Sequence, residues 1–314
     1  MGSSAKSPSD AAARSVMLSG PFLGLAALAM LEWADWGAHR DSGARGGASA
    51  LAVWEFLITA SVVAWAFLAG VGLRLLGALD ELDAAPPEPD RSRARRRIET
   101  TRFVVFVYIV LAVVLAAGGI AGLRNPFVIT GQDWKIPLLH LLAGAANVPL
   151  LVCLKRIQLN AADQSRWSTS ARDVARLRLL RRATHQATVA LGVVIALAVI
   201  ATGALSQATE AAGLTPLPDT FALVYGASFT GVVAALYLHV YGALEVRGRW
   251  MLDTAAPPLD PSPESAEAFA SRRSLRSELA QELELGGDPR GNLEGLLAVL
   301  APLAGALLSQ LGGL

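Results

Sequence analysis

The chain contains 314 residues, of which 53% are hydrophobic and 17% charged, and its formal net charge is +1. A soluble domain is about 45–50% apolar and roughly a quarter charged. The balance of charges excludes a general affinity for nucleic acid, and the single cysteine, Cys153, excludes an internal disulfide. The apolar residues fall in runs of about 20, the length of helix that crosses a bilayer. We therefore predict an all-α, polytopic transmembrane helical bundle.

Residues 1–15 form a polar N-terminal segment, and the first apolar run covers about residues 16–31. The run ends in an acidic and aromatic stretch that contains Glu32 and Asp35. Tryptophan is enriched where helices meet the membrane surface, so this stretch favours a first transmembrane span. The alternative is a secretory signal peptide cleaved after Ala29, because a basic start and a short apolar core precede small residues. Both interpretations place the next segment outside the cytoplasm.

A polar linker at residues 80–99 determines how the remaining spans are threaded. Arginine crosses a bilayer at a high free-energy cost, so an arginine-rich linker stays in the cytoplasm, where it contacts anionic lipid headgroups. The lipid-contacting arginines of the linker are Arg91, Arg93, Arg95, Arg96 and Arg97. The five further predicted spans cover about residues 49–73, 103–123, 136–154, 188–205 and 221–244.

The distribution of basic residues supports six spans with cytoplasmic N- and C-terminal regions. This threading leaves only four basic residues outside, namely Arg40, Arg45, Arg124 and Lys135. Such an excess of inside charges is what the positive-inside rule requires. The preference for arginine over lysine, together with abundant alanine, glycine and leucine, is typical of a GC-rich bacterial genome. We therefore predict a multi-pass protein of the bacterial inner membrane, with the lipid bilayer as its surroundings.

The predicted domains are a six-helix transmembrane domain (16–246), a cytoplasmic linker with an amphipathic helix (247–291) and an apolar C-terminal helix (292–314). Residues 170–185 are also predicted to be helical and to lead into the fifth span. The C-terminal helix carries leucines on one face and small residues on another, a pattern that lets a second helix approach closely. The pattern favours a helix that does not span the membrane, packed under the bundle or lying in the interface, or the contact surface of a homo-oligomer; the alternative is a seventh span.

Ionisable residues at membrane depth are functional candidates. Glu32, Glu55 and His140 all fall within roughly 10 Å of the outer boundary, with Asp35 at the mouth. They are predicted to form a polar cluster that binds a proton or a cation. The alternative is that each side chain lies at headgroup level and meets water independently. Two carboxylates and one imidazole have only a weak preference for metals, so no metal site is predicted.

Asn147 and Pro149 interrupt the fourth predicted span near its middle. Proline removes a backbone hydrogen bond, and the asparagine amide can replace it or bond a neighbouring helix. The pair is predicted to be a hinge or a binding point, and the alternative is a structural kink that the asparagine amide stabilises.

Three functions remain open at this stage. The first is a transporter or channel for a small solute or ion, based on Glu32, Glu55 and His140 at one depth and on the proline and asparagine in the fourth span. The second is a membrane-anchored scaffold or signalling effector that acts through the cytoplasmic segments 157–185 and 262–314. The third, an intramembrane enzyme, is less favoured because no phosphate-binding loop, nucleophile elbow or zinc-protease motif is present. No cofactor is predicted.

Overall fold

The structure, a computed structural model, describes residues 45–83, 95–109, 135–163, 167–211, 220–257, 266–283, 285, 297 and 299–308. All regular elements in these ranges are helices, which confirms the all-α prediction. The helices are α1 (Arg45–Asp83), α2 (95–109), α3 (Lys135–Ala162), α4 (Ala171–Ala211), α5 (Thr220–Ala255), α6 (Ala266–Glu282) and α7 (Val299–Leu308). The first predicted span and most of the third lie outside the described residues.

Four helices are long and apolar enough to cross a membrane. They are Val53–Leu82, Leu142–Ala162, Ala171–Glu210 and Leu223–Ala255. These segments overlap the second, fourth, fifth and sixth predicted spans. Large apolar side chains such as Phe56, Phe67 and Leu238 are exposed on their outer faces, as expected for helices surrounded by lipid.

The contacts between helices show their relative directions. Gly72 of α1 lies beside Pro149 of α3, and further along both helices Asp80 pairs with Arg156, so α1 and α3 run in the same direction. In contrast, α2 is antiparallel to α3, because Arg96 near the start of α2 contacts Asn160 and Tyr108 near its end contacts Gly144.

The other two long helices continue this alternation. Arg181 of α4 pairs with Glu245 of α5, and a Cβ added to Gly248 would lie 3.3 Å from the Leu177 side chain, so these two helices are antiparallel. Since Gln158 of α3 contacts His239 and Ala161 contacts Arg247, α5 runs parallel to α3. The helices that carry the even-numbered predicted spans therefore share one direction, and α2 and α4 run the opposite way.

The helices extend well beyond the predicted span boundaries at one end, which we call the arginine-rich end. It comprises the last turns of α1, α3 and α5 and the first turns of α2 and α4. The second span was predicted to end near Leu73, yet α1 continues to Asp83 because Leu75 and Leu79 are buried in the core. The predicted helix before the fifth span is confirmed, since α4 begins at Ala171.

Small residues allow α7 to pack inside the chain's own bundle. A Cβ added to Gly305 would lie 2.9 Å from the carbonyl oxygen of Ala196 on α4. A Cβ added to Gly226 on α5 would lie 2.7 Å from the Cβ of Ala306. The small-residue face of the C-terminal helix therefore contacts α4 and α5, whereas Leu307 and Leu308 remain exposed.

Candidate functional site

The polar cluster predicted near the outer boundary is described only at Glu55. Glu32 and Asp35 lie outside the described residues. His140 lies in the first turns of α3, and its side chain is also outside the described part of the chain. The convergence of these four residues therefore stays a prediction.

Glu55 is directed toward the neighbouring helices rather than toward lipid. Its side chain is 8% exposed, whereas that of the next residue, Phe56, is 69% exposed. The adjacent Trp54 and Ile58 are buried in a cluster that also contains Ala204 and other small residues of α4. A carboxylate at this level of an apolar helix is costly to keep charged, so it can take up a proton or hold a cation.

Pro149 lies at the closest approach of α1 and α3. A Cβ added to Gly72 would lie only 2.8 Å from the Cβ of Pro149, so glycine lets the two helices touch at this point. The side-chain oxygen of Asn147 is buried and accepts no hydrogen bond from the described residues. The hinge predicted at Asn147 and Pro149 stays a prediction, and the structure adds that its position is packed directly against α1.

The densest polar contacts of the described chain lie at the arginine-rich end, in a group of side chains that the sequence analysis missed. We call this group the arginine–tryptophan cluster. Its members are Arg96, Asn160, Asp163, Trp167, Arg176, Arg247 and Trp250.

The last carbonyl groups of α3 organise this cluster. Trp167 Nε1 donates to the carbonyl of Asn160 at 2.8 Å. Arg247 Nε donates to the carbonyl of Ala161 at 2.9 Å, and its Nη2 donates to that of Ala162 at 3.4 Å. The final carbonyls of a helix have no intrahelical partner and carry a partial negative charge, so a guanidinium and an indole satisfy them well.

Two aromatic rings and two further arginines complete the cluster. The guanidinium of Arg247 lies 5.7 Å from the centre of the Trp167 ring and 5.1 Å from that of Trp250. Arg176 lies 4.9 Å from the centre of the Trp167 ring. Arg96 reaches across from α2 and donates to Asn160 Oδ1 at 2.7 Å. The cluster thus joins α2, α3, α4 and α5 at one level.

One part of this region had a signal in the sequence. Ser170 and Asp173 have the spacing of a capping box, in which the first side chain and the fourth satisfy the free N–H groups of a helix start. Asp173 accepts hydrogen bonds from the Ser168 N–H and from the Ser170 hydroxyl. The capping box fixes the start of α4 and, with it, the position of Trp167. A single tryptophan in a polar stretch has no periodicity, so nothing else indicated its role.

The predicted lipid-contacting arginines separate into different environments. Arg91 and Arg93 lie outside the described residues. Arg95 forms a salt bridge of 2.9 Å with Glu99 on the same helix, and Arg97 is exposed. Arg96 instead belongs to the arginine–tryptophan cluster, where it also forms a 2.6 Å salt bridge with Asp163.

The fold and these sites define a helical protein with several membrane-capable helices and a polar network at one end. Comparison with models of protein families, with curated proteins and with solved structures finds no match to this chain.

Proposed function

We propose that this chain is a multi-pass membrane protein that moves a proton, a small cation or a small solute across the bilayer, with Glu55 as the ion-binding group. The observation that carries the proposal is the orientation of Glu55, whose side chain is 8% exposed and lies beside the contact between α1 and α4. A structural carboxylate has little reason to lie in an apolar interface, because uncharged residues pack there at lower cost. Glu32, Asp35 and His140 are proposed to extend this site toward the outer boundary.

Proton flux in proteoliposomes tests this function. The full-length protein would be reconstituted with a pH-sensitive dye inside, and a potassium diffusion potential would drive protons across the membrane. We expect Glu55→Gln to reduce the flux at least tenfold, because the amide has a similar shape but carries no titratable proton. Glu81→Gln is the matched control, since Glu81 lies on the same helix, α1, and is exposed at the arginine-rich end.

Two results would contradict the proposed role of Glu55. One is equal flux through the wild-type protein and Glu55→Gln. The other is an equal loss in Glu55→Gln and Glu81→Gln, which would show that any lost carboxylate on α1 impairs the protein. Circular dichroism of each variant in detergent shows whether the helical fold is retained.

The proposed threading places the arginine-rich end in the cytoplasm of a bacterial cell, as the positive-inside rule requires. Six spans are proposed for residues 16–246. The packing of the C-terminal segment supports a helix that enters the membrane, and a seventh span is the alternative. Glu282 meets Arg178 near the start of α4, and further on Gly305 meets Ala196 of the same helix. The segment therefore advances along about 18 residues of α4, or roughly 27 Å, of which about 12 Å lies beyond residue 188, the predicted start of the fifth span.

Fusions of topology reporters separate six spans from seven. With seven spans, alkaline phosphatase fused after Leu314 would be active, because this enzyme folds only outside the cytoplasm. The same fusion after Glu282 would be inactive, and green fluorescent protein at that position would fluoresce. An inactive phosphatase after Leu314, with fluorescence at both positions, would instead support six spans and a cytoplasmic C-terminal region.

A second function, a membrane-anchored effector, is favoured by the way α6 is attached. Arg276 Nη2 forms a 2.6 Å salt bridge with Asp253, and Arg178 Nε donates to the backbone carbonyl of Glu282 at 2.7 Å. These contacts hold α6 against the bundle while Phe269 stays exposed and available to a partner. Crosslinking in intact cells from a photoreactive residue at position 273, which is exposed one helical turn from Phe269, tests this function. Adducts that disappear in Phe269→Ala would support it, and a lack of adducts would count against it.

A homo-oligomer through the C-terminal helix is also proposed. Because the small residues of α7 already contact α4 and α5, the exposed leucines are the surface that remains for a second copy. Replacing Leu307 and Leu308 with alanine would then reduce the oligomer size measured by light scattering on a detergent column. An unchanged size would argue against this interface.

A further inference from the structure

The arginine–tryptophan cluster contains two buried hydrogen-bond donors that have no acceptor among the described residues. They are Nη1 of Arg247 and Nδ2 of Asn160. The side chain of Arg247 is only 4% exposed, and that of Asn160 is 1% exposed. Buried donors in folded proteins are almost always paired, with a protein group, a water molecule or an ion. Two such donors in one cluster therefore leave two positions at which a further acceptor can bind.

The other hydrogen bonds of Arg247 and Asn160 do not use Nη1 or Nδ2, so these two donor atoms can bind a ligand. Arg247 uses its Nε and Nη2 on the carbonyls of Ala161 and Ala162, and two indole rings lie within 6 Å of its guanidinium. The side-chain oxygen of Asn160 accepts from Arg96 at 2.7 Å, which fixes the amide with its nitrogen available. Asn160 lies in the last turn of α3, and Arg247 of α5 is bound to the carbonyl of the next residue, Ala161, so both side chains meet the end of α3.

The charges around the cluster favour an anion over water. The guanidinium groups of Arg96, Arg176 and Arg247 face two carboxylates, Asp163 and Asp173. Asp163 is already bound to Arg96 at 2.6 Å, and Asp173 accepts hydrogen bonds from two serines. The carbonyls at the end of α3 would repel an anion, but they are occupied by Arg247 and Trp167. The net charge of these five groups is therefore positive.

The depth of the cluster matches that of lipid phosphates. Arg247 lies three residues beyond Leu244, the predicted end of the sixth span, which corresponds to about 4.5 Å along the helix. The headgroup region extends roughly 5–8 Å beyond the hydrocarbon core. Tryptophan is enriched at this level, and arginine matches the geometry of phosphate oxygens.

We propose that Arg247 Nη1 and Asn160 Nδ2 bind a phosphate group at the arginine-rich end, supplied by an anionic phospholipid or by a soluble phosphate. The site is distinct from Glu55, and its existence does not depend on transport. Bound phosphate would connect α3 and α5, which supply the two donors. It would therefore stabilise the packing of these helices where they leave the membrane.

Thermal unfolding of the full-length protein in a neutral detergent tests the proposal. Sodium phosphate would be compared with sodium chloride at equal ionic strength. Micelles containing phosphatidylglycerol would be compared with micelles containing a diacylglycerol that lacks phosphate. We expect the melting temperature to rise on the order of 5 °C with a saturating phosphate ligand. A rise with inorganic phosphate identifies a soluble ligand, and a rise only with phosphatidylglycerol identifies a lipid headgroup.

Two variants locate the site. Asn160→Asp keeps an acceptor for Arg96 but removes the free donor and adds a negative charge, so the phosphate-dependent rise should be lost. Arg182→Gln changes the net charge by the same amount on an exposed surface of α4, and it should retain the full rise. If Asn160→Asp does not fold, Arg247→Lys replaces it, because lysine keeps the positive charge but has one nitrogen in place of the three of arginine, so it cannot bind the carbonyls and the phosphate together.

Three outcomes would overturn the proposal. The first is equal melting temperatures in phosphate and chloride together with equal melting temperatures in the two kinds of micelle. The second is a full rise in Asn160→Asp and Arg247→Lys. The third is a loss of the rise in Arg182→Gln, since that would show a response to net charge rather than to a site.

Discussion

The indole nitrogen of Trp65 on α1 donates a hydrogen bond of 3.1 Å to the backbone carbonyl of Val194 on α4, and both residues are buried. A helix carbonyl that accepts its own intrahelical bond still has a second lone pair, and the indole uses it. This contact sets the level at which α1 and α4 meet. It lies between Glu55 on one side and the arginine-rich end on the other.

Removing this hydrogen bond should lower the stability of the fold slightly, and removing the indole ring should lower it much more. We expect Trp65→Phe to lower the free energy of unfolding by about 1 kcal/mol and Trp65→Ala by about 3–5 kcal/mol. Phe67→Ala is the control, because Phe67 is exposed on the outer face of the same helix and should cost less than about 0.5 kcal/mol. Thermal or chemical unfolding in detergent measures the three values. Equal losses of unfolding free energy in Trp65→Ala and Phe67→Ala would contradict the packing role of Trp65.

The contact between Gly72 and Pro149 predicts a strong dependence on side-chain size. Gly72→Ala brings a methyl group to 2.8 Å from the Cβ of Pro149, so the helices must separate, at a cost of about 1–3 kcal/mol. Gly231→Ala on α5 meets no atom within 4 Å and should be neutral or stabilise by up to about 1 kcal/mol. Melting temperatures of the two alanine variants provide the comparison. A tolerated Gly72→Ala would show that α1 and α3 are not in tight contact.

The attachment of α6 should depend on ionic strength. Its salt bridges are partly exposed, so each contributes only about 0.2–1 kcal/mol and is screened by salt. Amide hydrogen exchange in residues 266–282 should therefore accelerate in high salt. Asp253→Arg should accelerate exchange even in low salt, and the double variant Asp253→Arg with Arg276→Asp should restore protection. Failure of the exchanged pair to restore protection would mean that other contacts hold α6.

Trp167 should stabilise the chain by two separable contacts. Trp167→Phe keeps an aromatic face for Arg176 and Arg247 but loses the hydrogen bond to Asn160, at a cost of about 1 kcal/mol. Trp167→Leu loses the cation–π contacts as well, each worth about 0.5–1 kcal/mol or more, and should destabilise further. Chemical unfolding of both variants measures the difference between their free energies of unfolding. Identical stabilities of Trp167→Phe and Trp167→Leu would show that the cation–π contacts of the arginines do not stabilise the fold.

Apolar periodicity predicted the helices and their inward faces well. Leu177 and Leu180, which lie in the helix predicted at residues 170–185, are both fully buried at the arginine-rich end. Periodicity failed at helix ends. The fourth span was predicted to end near residue 154, whereas α3 continues and its Arg156 pairs with Asp80 of α1 at 2.6 Å. An ion pair between residues far apart in the chain leaves no local pattern in the sequence. A charged residue that joins two helices therefore looks like a charged residue that marks the end of a membrane span.

The candidate sites were predictable to different degrees. Glu55 stood out because a carboxylate in an apolar run is rare, and its orientation toward α4 agrees with the spacing of Trp54 and Ile58 on its helix. The arginine–tryptophan cluster was missed because its members come from four helices. Arg247 resembled an ordinary positive charge at a membrane boundary, and only the position of the last carbonyls of α3 reveals its role.

Helix α4 runs without interruption from Ala171 to Ala211, a length of 41 residues or about 60 Å. One end lies beside the arginine–tryptophan cluster, and the far half packs against the segment of α1 that carries Glu55. Such a helix acts as a lever. A rotation of about 5° around its midpoint displaces each end by roughly 2.6 Å in opposite directions, given a rise of about 1.5 Å per residue. Displacements at the two ends of α4 would thereby be linked through one rigid element.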